Sequence, residues 1–106
     1  MGRTVIEAIR QKVSENRLEY TQHAVDQSIL RYVSVEELRQ AIATGEIIED
    51  YPDDKYGQSC LILGYTEMGR PLHIQCSYPT RELIKIITVY QPDPSLWINF
   101  RVRRFQ

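Results

Sequence analysis

The sequence predicts an α+β domain in which three N-terminal helices pack on a four-stranded, largely antiparallel sheet. Apolar residues recur at helical spacing as far as Gly45 and alternate at strand spacing from Glu46 onward. The strand-like runs are joined by short connections, as in an antiparallel meander.

Thr4 serves as N-cap of the first helix, whose inward stripe is Val5, Ile6, Ile9 and Val13, ending near Asn16. Thr21 caps a second helix that carries His23, Val25, Ile29 and Leu30 to about Arg31. In the third, Ser34 and Glu37 form a capping box, Val35, Leu38, Ala41 and Ile42 share one stripe, and Gly45 is the stop. The period then changes. Glu46–Tyr51 alternates, Pro52-Asp53-Asp54 with Gly57 makes a turn, and residues 58–66 hold the β-rich run CLILGY. A short turn at Glu67-Met68-Gly69 leads into GRPLHIQCSY, where Leu72, Ile74, Cys76 and Tyr78 share one face and His73, Gln75 and Ser77 the other. Residues 83–90, LIKIITVY, are apolar on both faces apart from Lys85 and Thr88, which suits a central strand covered by helices. Pro92 and Pro94 end it, and SLWINFRVRRF beyond them fits either an edge strand or a short helix.

A chain of 106 residues, 42% apolar and 25% charged, makes a single domain, residues 1–106, without disulfide staples. Its start lacks a secretory h-region and no apolar run approaches the ~20 residues of a bilayer span, so a soluble cytoplasmic protein is expected, without a membrane partner. Cys60 and Cys76 fit a reduced compartment. His73 and Cys76 have His-x-x-Cys spacing, but on a strand they point to opposite faces, so no metal is expected there, and no motif asks for a cofactor.

A net charge of −1 gives no global pull on nucleic acid. The distribution is uneven: residues 1–50 carry six Lys/Arg against nine Asp/Glu, residues 51–106 seven against five. Arg101, Arg103 and Arg104 concentrate the excess at the C-terminus, as a solvated tail or as contacts to phosphate or a partner. Two histidines are available for acid–base chemistry. His23 sits at the second position of its helix, where the dipole disfavours imidazolium and suits a neutral base. His73 shares the polar face of its strand, with Ser59, Tyr65, Lys85 and Tyr90 as candidate cross-strand neighbours. Arg31, about 12 Å along the helix axis from His23, and Arg70, at the turn before His73, can each fork onto a phosphate or hold a carboxylate within the fold. No phosphate loop, paired-carboxylate or zinc-protease signature is present, which leaves metal-free acid–base chemistry or plain binding.

The blocks HAVDQSILRYVSVEEL, GEIIEDYPDD, SCLILGY, GRPLHI and ITVYQPDPSLW, in that order, resemble a small bacterial family, the domain of unknown function forty-two fifty-eight, over residues 21–97. That family is similar to toxins of toxin–antitoxin modules with a RelE, BrnT or MqsR-like fold. The resemblance implies a metal-independent endoribonuclease acting on messenger RNA through attack of a ribose 2′-hydroxyl on the adjacent phosphate, with an antitoxin as partner. His23 matches the family's His-Ala pair, Arg31 its following arginine, His73 the histidine of GRPLH, and Tyr90 the tyrosine of ITVY. Base and acid then come from His23, His73 or Tyr90, and Arg31 or Arg70 stabilises the phosphorane. Arg70, Lys85, Arg101, Arg103 and Arg104 become candidate RNA contacts. The family often has Arg and Met where this chain has Gln27 and Ser28, a departure that removes a cation. The competing reading is a noncatalytic, toxin-shaped module that binds an antitoxin or another protein.

Overall fold

The computed structural model describes residues 2–55 and 57–105. The chain runs α1 (Val5–Ser14), β1 (Leu18–Tyr20), α2 (Gln22–Leu30), α3 (Val35–Ala43), β2 (Glu46–Tyr51), β3 (Ser59–Tyr65), β4 (Pro71–Ser77), β5 (Ile84–Tyr90), β6 (Trp97–Ile98) and β7 (Val102–Arg103). Five strands form one sheet in the order β1-β5-β4-β3-β2, and β6 and β7 make a separate two-stranded sheet.

The three helices start where the sequence expects them. Thr4 and Ser34 each accept a hydrogen bond from the third helical N–H, and the carboxylates of Glu7 and Glu37 accept one from the cap backbone N–H in turn. Thr21 caps α2 by accepting from the Ala24 N–H at 3.0 Å. The expected four-stranded, largely antiparallel sheet needs correction, because β1 lies parallel to β5 between α1 and α2 and makes the sheet five-stranded and mixed. Pairing Leu18 with Ile84 and Tyr20 with Ile86 puts strands on both sides of β5 and makes it an interior strand of the sheet.

The helices cover one face of the sheet. Ile9, Val13, Leu38 and Ile42 meet Ile62, Leu72, Ile74, Ile84, Ile86 and Val89 in the core. Two glycines permit this contact. A Cβ at Gly64 would lie 1.8 Å from the Ala41 carbonyl oxygen, and one at Gly45 would lie 2.6 Å from Ile62 Cγ2. Gly45 is therefore a close-approach residue as well as the end of α3.

The outer face is also covered, in part. After β5 the chain returns through Pro92 and Pro94 and packs β6 and β7 across the sheet, burying Leu61, Leu63 and Trp97. Consecutive left-handed residues, Asn99 and Phe100, form the turn between them, closed by an Arg101 N–H to Ile98 carbonyl bond of 2.9 Å. The C-terminal segment is thus a hairpin laid over the sheet rather than an added edge strand or a helix. Within β5 the pairing skips one residue: Cys76 opposes Ile86 and Gln75 opposes Thr88, which leaves Ile87 as a bulge. Ile84 and Ile86 consequently face the helices, as does Val89, while Thr88 and Tyr90 face outward.

Candidate functional site

The pleat of β4 sends His73 to the outer face, where the register opposes it to Leu63 on one side and Tyr90 on the other. Of the four neighbours that the sequence offered, Tyr90 is the one beside it. The hairpin seals His73 completely: it has 0% exposure and lies edge-on to Trp97, with ring centroids 4.4 Å apart. Nε2 is 2.6 Å from the Phe100 carbonyl oxygen, which can only accept, so the proton is on Nε2. Nδ1 then accepts from the Tyr90 hydroxyl at 3.1 Å. Burial pushes the His73 pKa below its ordinary value, against the raising effect of the Phe100 hydrogen bond. His73 is a neutral, enclosed residue that fixes the direction of the Tyr90 hydroxyl.

Tyr90 is half-buried. Loss of water raises its pKa, and the positive charges of Arg103 and Arg31 pull the other way. The effect of Arg31 reflects a second element beside β5. His23, Gln27 and Arg31 occupy positions i, i+4 and i+8 and lie along one stripe from α2 to its C-cap. His23 Nε2 lies 3.4 Å from Thr88 Oγ1, and Arg31 Nε donates to Gln27 Oε1 at 2.6 Å. Thr88 and Tyr90 are alternate residues on one face, about 7 Å apart along the strand. The structure therefore sets His23 against Thr88, with Tyr90 next on the same face, His73 behind Tyr90, and the Arg31 backbone tied through Arg70 to Gln91 just after Tyr90. His23 and His73 do not touch: each contacts a different residue of β5.

A family model described as Domain of unknown function (DUF4258) matches residues 20–91, about two-thirds of the sequence. The chain belongs to the DUF4258 family. No curated protein and no solved structure matches the chain. The matched span holds His23, Arg31, His73 and Tyr90. It excludes α1 and the hairpin that encloses His73, so in this DUF4258 member the partners of the imidazole come partly from outside the matched region.

The remaining candidate residues have other surroundings. The Arg70 guanidinium donates to the carbonyls of Arg31 at 2.8 Å and Tyr32 at 2.9 Å, to Gln91 Oε1 at 2.9 Å, and to Glu37 at 3.2 Å. It fastens the α2–α3 turn, where Tyr32 adopts a left-handed backbone, to the end of β5. Arg101 pairs with Glu46. Arg103 forks onto Glu49 at 2.9 and 3.1 Å and stacks over Trp97 at 4.7 Å. Arg104 donates to the Pro94 carbonyl at 2.9 Å. These three arginines anchor the hairpin to β2 and to the loop before it. Lys85 lies elsewhere on the outer face, in a cavity that it shares with Arg81.

Cys60 and Cys76 are directly opposed across β3 and β4, buried on the helix side, so Cys76 faces away from His73. The Cys60 thiol and burial both raise the Cys76 pKa. Among the described residues no three His, Cys, Asp or Glu side chains gather where they could hold a metal, and no helix is long and apolar enough to cross a membrane. Sequence reasoning missed Thr88 as the neighbour of His23 and the role of Trp97 and Phe100 around His73. The i, i+4, i+8 spacing of His23, Gln27 and Arg31 was visible in the sequence, whereas the pairing of Thr88 with His23 requires the fold.

Proposed function

We propose that this DUF4258 domain is a metal-independent endoribonuclease acting on messenger RNA, the toxin-like component of a toxin–antitoxin pair. The observation that carries the reading is His23 set against Thr88, with Tyr90 next on the same face of β5 and Arg31 held near the end of that strand through Arg70 and Gln91. His23, exposed at the start of α2, takes the proton of a ribose 2′-hydroxyl as it attacks the adjacent phosphorus. The bond to the 5′-oxygen breaks, a 2′,3′-cyclic phosphate forms, and the Tyr90 hydroxyl turns from His73 Nδ1 to give its proton to the leaving oxygen. Arg31 meets the charge of the phosphorane. His73 is a positioning residue that holds the Tyr90 hydroxyl through Nδ1 until the proton is needed. Gln27, which stands where the family often has a cation, orients Arg31 instead.

A second reading rests on a different observation. At the end of α2, Ile29 and Leu30 are each 69% exposed and Tyr32 is 87% exposed, an apolar corner suited to an antitoxin or another protein. On that reading the domain binds without turnover.

Cleavage of a mixed-sequence RNA in the presence of chelator separates the two. The ribonuclease reading expects cyclic-phosphate ends from wild type, and a 10²–10⁴-fold slower rate, as is typical when an acid or base is lost, in His23→Ala and in Tyr90→Phe of equal thermal stability. Absence of cleavage by wild type, with no growth arrest when the chain is expressed alone, refutes it in favour of the binding module.

A further inference from the structure

The hairpin covers only part of the outer sheet face. Beside it, between β1, β5 and the end of β4, lies a cavity of about 330 Å³, at the lower end of the ~300–1,000 Å³ typical of small-molecule sites. We propose that this cavity seats one nucleotide of a single-stranded RNA, base inside and phosphate at the rim; the inference rests on the ribonuclease reading of the adjoining edge.

The cavity's walls combine apolar, neutral polar and charged groups, with Arg81 and Lys85 as cations and Glu19 and Asp54 as carboxylates, Asp54 accepting from Ser59 Oγ at 2.9 Å. Leu83 and Ile87 give an apolar surface for the flat face of a base, and Gln58 and Thr80 offer neutral donors and acceptors for its edge. The cations give the cavity its place for a phosphate. Arg70, Arg101 and Arg103 are each paired with a glutamate, whereas Lys85 and Arg81 have no ion-pair partner among the described residues. Glu19 is the register partner of Lys85 across β1 and β5, yet the two form no ion pair. The backbone behind both cations is held in place: the Lys85 N–H donates to Ser77 Oγ at 2.9 Å, and Lys12 binds the Arg81 carbonyl. Two unpaired cations on a fixed backbone, next to an apolar wall, match a phosphate joined to a base.

The cavity is continuous with the candidate catalytic edge. Thr21 lines it, caps α2 and donates to the Ile87 carbonyl at 3.0 Å. Two residues after Thr21 comes His23, and directly after Ile87 comes Thr88, the neighbour of His23. An RNA strand laid along β5 therefore passes from Lys85 to His23 and on to Tyr90.

Backbone amide spectra of the full chain provide the test, with nucleoside 3′-monophosphates and a 2′-O-methyl oligoribonucleotide, which cannot form a cyclic phosphate, as probes. We expect both probes to shift Thr21, Ser77 and Ile87 saturably, the oligonucleotide to shift His23 and Tyr90 as well, and Lys85→Gln or Arg81→Gln to weaken binding at least tenfold at unchanged Tm. An oligonucleotide that shifts His23 and Tyr90 but not the cavity overturns the inference and leaves the ribonuclease reading standing. Mononucleotide binding without oligonucleotide binding also overturns it, and makes the cavity a site for free nucleotides. Binding that neither substitution weakens refutes the assignment of the two cations. Occupancy of the cavity by both probes in a protein that cleaves no RNA supports the subsite and refutes the ribonuclease reading.

Discussion

Replacing His73 with phenylalanine tests the enclosed imidazole most directly. Phenylalanine preserves a flat ring against Trp97 and removes both ring nitrogens, so the Phe100 carbonyl and the Tyr90 hydroxyl lose their partner. A buried polar group left unpaired costs about 1–3 kcal/mol. Phe100 and Tyr90 are only half-buried, so water recovers part of this, and we expect a loss of about 2–3 kcal/mol in urea unfolding at pH 7.5. The pH dependence carries a second signature. The folded pKa of His73 is lowered from an ordinary 6.5, so below that value the unfolded chain takes up a proton that the folded chain resists. The contribution of this group is complete above pH 6.5 and is lost as pH falls toward the folded pKa. Between pH 7.5 and 5.5 wild type should therefore lose up to about 1.4 kcal/mol more than His73→Phe, whose other titrating groups are the same. Equal losses in the two proteins would refute a neutral, enclosed His73. So would a variant as stable as wild type at pH 7.5.

Three further outcomes follow from the packing. Gly64→Ala should cost about 1–3 kcal/mol or more in thermal unfolding, because its Cβ meets the Ala41 backbone and α3 must shift; an unchanged Tm would contradict the close seating of α3 on β3. Arg70→Lys keeps the charge and loses the fork that holds two carbonyls, so hydrogen exchange in the α2–α3 turn should accelerate while that of β3 and β4 remains slow. Equal exchange in the turn would show that the clamp is dispensable. Iodoacetamide should label neither Cys60 nor Cys76 in the native protein and both in urea, with mass spectrometry as the readout; rapid native labelling would place at least one thiol outside the core.

The local signals in the sequence were legible where they act over a few residues. Thr4, Thr21 and Ser34 start helices because a side-chain oxygen reaches an N–H two or three positions on, and such contacts depend on little else. Strand β1 was not legible. It has three residues, and its partner Ile84–Ile86 lies more than sixty positions away, so neither length nor period marks it. The alternation in β4 correctly separated His73 from the helix-facing side, but no strand pattern reveals that a later segment will fold over the other side. The hairpin depends on left-handed Asn99 and Phe100; asparagine at the first position was a hint, and phenylalanine at the second argued against such a turn. The arginines of the hairpin read as a free basic tail because their carboxylate partners, Glu46 and Glu49, are about fifty residues upstream. Of the site, His23, Arg31 and Tyr90 were named from the sequence, whereas their relative placement and the enclosure of His73 depend on long-range pairing.

The bulge at Ile87 has a consequence for how this strand can change over time. Ile84 and Ile86 feed the core from even positions and Val89 feeds it from an odd one, and only the extra residue reconciles them. Taking Ile87 into a regular ladder would preserve every chemical group of the edge and destroy the edge itself, since Thr88 and Tyr90 would turn inward and Val89 outward. Deleting Ile87 would instead leave Ile86, Thr88, Val89 and Tyr90 alternating with the faces they have now. The site thus depends on how the strand pairs as much as on residue identities. Homologous chains that lack one residue after Ile86 keep threonine and tyrosine on the outer face with a regular strand, whereas those of equal length keep them there only if the bulge is kept.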